Sequence, residues 1–359
     1  MRVLTCVLLL VLLIGPVGAE QPRAPDARPE DEQPLVAGTT AFAVDLYREV
    51  AHAPGNQFFS PYSVSTALAM PREGARGTTR AQIYRVIHLP GAGNAASFEC
   101  LAALLRPPLV QDGQGRQARQ VPAYALRVAN RVWGQRGFRF LPAFLSELRA
   151  SFGADLPALD FRRGAPAARG TINRWVAQAT QNRIREVVPP GQPTPDTRLL
   201  LTNAIYFEAG WADEFAEGMT VDGPFHRADG STIQTRLMRR QDDYAYGEVG
   251  DVQLPWMSSR GGELSMLVVL PRARGGLAAV EAGLDVATLA AWREATTGKE
   301  GKVTFPRFRF TRWDVRNCPW KTERSPPARL SVVPALAESN GDLVRMWRTP
   351  LAVFGPYSA

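Results

Sequence analysis

Two stretches limit the architecture more than anything else in the chain: LLLTNAIYF at residues 199–207 and LSMLVVLP at residues 264–271. Each is a nearly continuous apolar run of strand length. Successive side chains of a strand point to opposite sides, so a strand that is apolar at consecutive positions has to be covered on both faces. One polar side chain, Asn203, interrupts the first run. A buried amide without partners costs roughly 1–3 kcal/mol. Asn203 therefore either bonds to neighbouring backbone or marks a polar point over which adjacent strands slide.

Upstream the pattern is helical. Phe42, Leu46 and Val50 recur at a spacing of four, an apolar stripe on one helical face, and Gly55-Asn56 closes that unit. In NQFFSPYSVSTALAM, residues 56–70, Ser60 is an N-cap candidate and Pro61 suits the first helical position, where its missing N–H costs nothing. Val64, Ala67 and Leu68 form the buried face of this helix. Pro71 ends or kinks it, and residues 74–77 turn the chain toward a further helix from Thr79.

The chain opens with Arg2, an apolar run at residues 7–14 and Val17-Gly18-Ala19, the pattern of a secretory signal peptide cleaved after Ala19. That run is shorter than the roughly 20 apolar residues of a membrane anchor. The expected product is secreted, extracellular or periplasmic, with no membrane span. Residues 20–36, rich in Pro, Asp, Glu and Arg, read as a disordered lead-in. The formal charge is +8 and the pI about 9.8, yet only three of the 42 basic residues are lysines and the arginines are scattered along the sequence. No nucleic-acid or glycosaminoglycan footprint is expected from that pattern, since such a footprint needs a patch or stripe. Cys6 lies in the signal, which leaves Cys100 and Cys318 to form at most one disulfide.

An active site is hard to find. His52, His88 and His226 lie far apart in sequence, and none has the HxxxH or CxxC context of a zinc site. No serine has the flanking glycines of a hydrolase nucleophile elbow, and no phosphate-cradling glycine loop is present. No catalytic residue, metal or cofactor is expected.

The motifs do have an order. FAVDLYREVA (residues 42–51), NQFFSPYSVSTALAMPREGARGTT (56–79), ANRVWGQ (129–135) and the DF pair at 160 and 161 come first. INRWVAQATQNRIREVV (172–188), TNAIYFEAGW (202–211), PFHRADGSTIQTRLM (224–238), SMLVVLPR (265–272) and KVTFPRFRF (302–310) follow. In this order they resemble the serpin family, from about residue 37 to residue 311. The resemblance implies an α+β fold, with a helical N-terminal part on a large, mainly antiparallel sheet. A second, smaller sheet is expected to begin around residues 224–238 and 262–271. Pro71, Asn182 in place of a usual glycine, and Glu208-Ala209 in place of a usual Lys-Gly depart from the family pattern. Residues 107–122 resemble the family's variable connection, but Arg106, Arg116 and Arg119 are too few to suggest heparin binding.

The family implies a monomeric inhibitor whose partner is a serine protease. The protease attacks an exposed reactive loop and forms an acyl-enzyme. The cleaved loop then inserts as a new central strand and releases strain stored in the sheet. Ser60, Ser63 and Asn203 resemble the shutter, the polar cluster over which the strands part. Trp211 resembles the residue at the top of the sheet where insertion starts. The family's shutter also uses a histidine of a later central strand, and no histidine lies beyond His226.

Residues 312–359 resemble none of the family's closing elements. They hold three of the eight tryptophans and six prolines without a period of 2 or 3.6, the texture of a reading frame out of register. ESNGD at residues 338–342 is the nearest approach to the family's acidic turn, and no small-residue hinge follows it. The expectation is that the C-terminal strands are missing, that the central sheet is left with unpaired edges, and that no reactive bond exists. Runs 330–333 and 351–354 are the segments able to pair with those edges instead. Two other functions stay in view: a non-inhibitory serpin-like binding protein, and a secreted hydrolase that would bring one of the histidines to a serine.

Overall fold

A computed structural model describes residues 29–51, 59–88, 102–103, 105–113, 118–227, 230–311, 318–319, 329–339 and 343–354. Helices α1 (Pro29–Ala51), α2 (Pro61–Arg72) and α3 (Gly77–Val86) come first. The short strands β1 (Leu109–Asp112) and β2 (Arg119–Pro122) precede β3 (Tyr124–Gln135), α4 (Pro142–Phe152), β4 (Ala158–Leu159), α5 (Ala165–Ala179) and β5 (Leu199–Gly210). Then follow β6 (Val221–His226), β7 (Thr232–Val249), β8 (Val252–Ser258), β9 (Ser265–Leu267), β10 (Leu270–Pro271), α6 (Leu277–Ala282) and α7 (Val286–Glu294). The chain continues through β11 (Thr297–Pro306), β12 (Arg309–Thr311), β13 (Cys318–Pro319), β14 (Arg329–Ser339) and β15 (Leu343–Phe354).

Strand β5 is buried on both faces, as its unbroken apolar run requires. On one face Leu201 packs with Ala67 and Met70 of α2 and with Val132, Phe144 and Leu148. On the other, Leu200 and Ala204 pack with Ala168, Ile172 and Val176 of α5 and with Trp133 and Phe161. Adjacent residues thus face different helices, and every position from Leu200 to Phe207 is buried, while Glu208 near the end of the strand is half-buried. Strand β3 lies antiparallel to β5, in register from Tyr124 opposite Ala209 to Gly134 opposite Leu199. The large sheet runs β12-β14-β15-β5-β3-β4, with β13 on β14, and only β3 and β4 are parallel. A second sheet, β10-β8-β7-β11 with β6 on β7 and β9 on β8, is antiparallel throughout. Its strands β6, β7, β9 and β10 fall in the two regions where the second sheet is expected. The fold is the α+β arrangement expected from the resemblance.

Local chemistry sets the ends of the helices. Ser60 caps α2, its Oγ accepting the backbone N–H of Ser63 at 3.2 Å, and Pro61 occupies the first turn. Pro71 sits in the last turn, where the helix stops. After α5 the chain takes positive φ at Gln181 (51°) and Asn182 (59°). This is the left-handed region that favours glycine, and asparagine tolerates it better than most residues. That accounts for Asn182 where the family has glycine. Residues 107–122 contain the β1–β2 hairpin, on which Asp112 pairs with both Arg119 and Arg260.

Two expectations need correcting. The lead-in 20–36 is not wholly disordered: α1 begins at Pro29 and carries Pro34 within it. Leu35, 1% exposed, is anchored in the core with Tyr62, Leu105 and Phe305, and this burial offsets the hydrogen bond that proline cannot make. Residues 1–28, and with them the signal peptide, lie outside the described residues, as do Gly55-Asn56, Cys100 and the Cys100–Cys318 link.

The second correction concerns the tail. Strand β15 pairs antiparallel with β5 from Leu343 opposite Gly210 to Phe354 opposite Leu199, and β14 pairs with β15. The strands expected to be missing are filled in by residues 329–339 and 343–354, so β5 has no open edge. Strand addition uses main-chain N–H and C=O groups, so a segment without sequence period can still satisfy an unpaired edge. Runs 330–333 and 351–354 lie within these strands.

The pairing is interrupted. Arg348 lies opposite Ile205 and Leu351 opposite Thr202, and the ladder to β5 skips the positions between them, where Thr349 and Pro350 fall. Strand β14 carries Pro334, next to a register shift between Val333 and Leu336. A proline inside a central strand removes a ladder donor. Backbone amides of Leu343–Phe354 should therefore exchange with deuterium before those of Tyr124–Gln135 under native conditions, and equal protection of the two strands would show that the prolines do not weaken the ladder.

Candidate functional site

Three of the four residues singled out from the sequence meet at one point. Asn203 is fully buried in the middle of β5, facing the N-terminal turn of α2. Its Oδ1 accepts the Ser63 hydroxyl at 2.5 Å, and its Nδ2 donates to the Ser63 carbonyl at 2.8 Å. The same Nδ2 donates to Oδ1 of Asn130 on β3, the residue directly across the ladder. The amide thus uses both donor hydrogens and its acceptor. Ser63, also fully buried, is tied to Ser60 through the cap. The cluster joins helix α2 to two adjacent strands at a single amide.

Asn130 is not among the residues singled out from the sequence. Its signal is the same as that of Asn203, a polar residue in an otherwise strand-like run, but the half-buried positions around it make the run look ordinary. On the opposite face of the sheet, Trp133 Nε1 donates to Thr202 Oγ1 at 2.9 Å. Arg131 lies over the rings of Trp133 and Trp175, 5.4 and 4.5 Å from their centroids. Burial lowers the pKa of this guanidinium.

Trp211 lies apart from the cluster, eight residues further along the chain, roughly 27 Å at strand rise. It forms an isolated antiparallel bridge with Ser259 that connects the end of β5 to the second sheet, flanked by hydrogen bonds from Ala212 N to Ser258 O and from Arg260 N to Gly210 O, both 2.9 Å. The indole is 5% exposed and packs edge-on against Phe215. Among the described residues neither its Nε1 nor the Ser259 Oγ has a hydrogen-bond partner. The indole therefore contributes by packing.

Nothing here assembles a nucleophile. Ser63 gives its proton to an amide, which cannot act as a general base. His88 pairs with Asp45 at 2.6 Å at the surface, and His226 Nδ1 meets Thr232 Oγ1 at 2.8 Å on an exposed hairpin. Neither described histidine is joined to a serine that is backed by a carboxylate, and His52 lies outside the described residues. No group of His, Cys, Asp and Glu suited to a metal occurs among the described residues, and no described helix is long and apolar enough to cross a membrane.

A family model described as "Serpin (serine protease inhibitor)" matches residues 37–315. The chain belongs to the serpin family. It is 34% identical over 288 residues to a leukocyte elastase inhibitor of Xenopus tropicalis, covering 77% of this chain and 73% of that one. It is likewise 34% identical over 328 residues to the leukocyte elastase inhibitor of Homo sapiens, covering 87% and 80%. Emu (Dromaius novaehollandiae) ovalbumin has the same fold, with a TM-score of 0.75 at 22% identity over 90% of this chain and 91% of that one. Serpins are protease inhibitors rather than enzymes.

The cluster makes quantitative demands. Asn203→Ala leaves the buried Ser63 hydroxyl without its partner and removes one bond from the half-buried Asn130, and should cost about 1–3 kcal/mol in urea unfolding, the range for a buried polar group left unpaired. Ser63→Ala should cost less, and the double variant less than the sum of the two; strict additivity would show that the two side chains act independently. Trp211→Phe removes part of a buried ring from the core and should cost about 1–3 kcal/mol through lost packing, with no hydrogen-bond contribution since its Nε1 has no partner among the described residues.

Alkaline pH probes the same turn of α2. Burial pushes the Tyr62 phenol up to about 12 from its ordinary 10.0. Between those values the folded chain keeps a proton that the unfolded chain releases, so stability is complete below pH 10 and falls as pH rises toward 12. Tyr124 is raised to about 12 and Tyr47 is raised too, both first by burial. Tyr62→Phe should therefore flatten the alkaline loss of stability without abolishing it, as followed by midpoint denaturant concentration against pH.

Proposed function

We propose that this chain is a secreted serpin that binds without trapping: a member of a serine-protease-inhibitor family that does not form the covalent inhibitory complex. The observation that carries this reading is strand β15, which lies antiparallel to β5 from Leu343 opposite Gly210 to Phe354 opposite Leu199, with one interruption. Loop-insertion inhibition draws its energy from a sheet that gains a central strand. Here the position beside β5 is filled by residues 343–354 of the chain itself, with β14 beyond them. The sequence supports the same reading, because residues 312–359 contain no acidic turn followed by a small-residue hinge that could serve as bait. Secretion rests on the leader at residues 1–19 and is checked by N-terminal sequencing of the exported protein, which should begin at Glu20.

The leukocyte elastase inhibitors among the relatives favour a second reading, inhibition of an elastase-type serine protease, and put such proteases first in the test. The purified chain is incubated with elastase-, chymotrypsin- and trypsin-type serine proteases. The expected result is no SDS-stable complex and unchanged protease activity. Limited proteolysis should also fail to raise the thermal midpoint, since cleavage frees no strand for insertion. An SDS-stable complex with any of these proteases would overturn the proposal and support the inhibitor reading.

A further inference from the structure

Arginines that look scattered in the sequence are brought together by the fold. At the end of the large sheet where β3 and β4 stop, Gln135, 5% exposed, ties three separate segments to one another. Its backbone N–H bonds to Arg198 O at 2.8 Å, its Nε2 donates to Arg136 O at 2.9 Å, and its Oε1 accepts the Phe161 N–H at 2.8 Å. The Arg136 N–H in turn bonds to Leu159 O at 2.8 Å. A turn through Gly137, whose φ of +78° suits glycine, then leads into Phe138 and Arg139. Arg136, Arg139, Arg162 and Arg163 are all exposed, and none of the four forms an ion pair among the described residues. Asp160, the acid set among them, accepts the backbone N–H of Arg163 at 3.0 Å; that bond and, less strongly, the nearby Arg136 guanidinium hold its carboxyl below the ordinary range, so one carboxylate of the loop offsets part of the positive charge.

Apolar surface accompanies the charge. Phe138 is 47% exposed and Leu141 is 56% exposed. Phe138 rests edge-on against Phe140 at 4.9 Å, and Phe140 continues to the buried Phe144, so the exposed ring has a fixed base. Arginine and aromatic side chains are the types enriched at protein interfaces, and the guanidinium fork matches carboxylates in two-point contact. A purely ionic partner would leave Phe138 and Leu141 without a role.

We propose that this end of the sheet is a docking surface for an acidic protein segment carrying an apolar side chain. Carboxylates of the segment would be taken by Arg136, Arg139, Arg162 and Arg163, and its apolar residue by Phe138 and Leu141. The proposal is independent of whether the chain traps a protease, because it involves neither β14 nor β15.

The test is fluorescence anisotropy with the full mature chain and a short labelled peptide that alternates glutamate and phenylalanine. A peptide that alternates glutamate and serine, and heparin, are the comparison probes. Saturable binding of the first peptide is expected, weakened roughly tenfold in Arg162→Ser/Arg163→Ser and again in Phe138→Ser, as expected when an interface arginine or aromatic anchor is removed. All three positions are exposed, so the variants should keep the thermal midpoint of the parent, which is measured alongside. Binding unchanged in both variants would overturn the proposal. So would equal affinity for the serine peptide, or tight heparin binding that is indifferent to Phe138→Ser, since either marks a surface that senses charge alone.

Discussion

A strand with both faces buried has no tolerance for an unpartnered polar atom, and β5 carries such an atom at its midpoint. Asn203 is acceptable there only because Ser63 and Asn130 between them meet both of its donors and its acceptor. Much of the local arrangement follows from this need. Helix α2 has to bring its first turn directly onto the sheet, which makes the cap at Ser60 and the proline at position 61 part of the same assembly as the strand. Strand β3 has to hold a register that places one asparagine opposite another. An apolar residue at 203 would remove these requirements and with them the geometric bond between helix and sheet. The amide thus fixes the arrangement of helix and sheet, and its removal alone leaves the buried Ser63 hydroxyl without a partner.

How much of this is legible in the sequence depends on the range of the forces involved. The two-sided burial of β5 can be read directly, because apolar side chains at consecutive strand positions point to opposite faces and each face then needs a cover. Ser60 and Pro61 are legible for a different reason: capping is a contest among a few neighbouring atoms. The meeting of Ser63 with Asn203, 140 residues apart, follows from family resemblance and lies beyond composition or period. Asn130 is not legible, because its role is defined by what lies across the ladder. The arginine patch is hidden for a similar reason, since its members come from segments that the β3–β4 pairing and the bonds of Gln135 and Arg136 bring together.

The tail shows the opposite failure. Absence of a hydrophobic period argues against strands, but period reports which face is buried, and backbone pairing does not require it. Residues 343–354 satisfy the edge of β5 with main-chain groups, and residues 329–339 pair with them in turn, while both strands carry prolines that an ordinary central strand would exclude. Tertiary demand from one side of the ladder thus overrides weak local preference on the other. Leu35 makes the same point on a smaller scale: its deeply buried side chain anchors the N-terminal part of α1 to the core in a segment whose composition favours disorder.

The bridge at Trp211 gives the two sheets a mechanical relationship. Strand β5 does not end in a loop that could absorb displacement; it passes into a pair of backbone hydrogen bonds beside β8. Sliding of β5 along its axis would load these two bonds in shear, while its other end is held by α5 and β3. These two bonds act beside a shared core in which Tyr124, Phe207 and Ala209 of the large sheet are buried with Met238, Met257 and Met266 of the smaller one, so a force applied to the large sheet reaches the smaller one through packed side chains with a hydrogen-bonded stop at the end of β5.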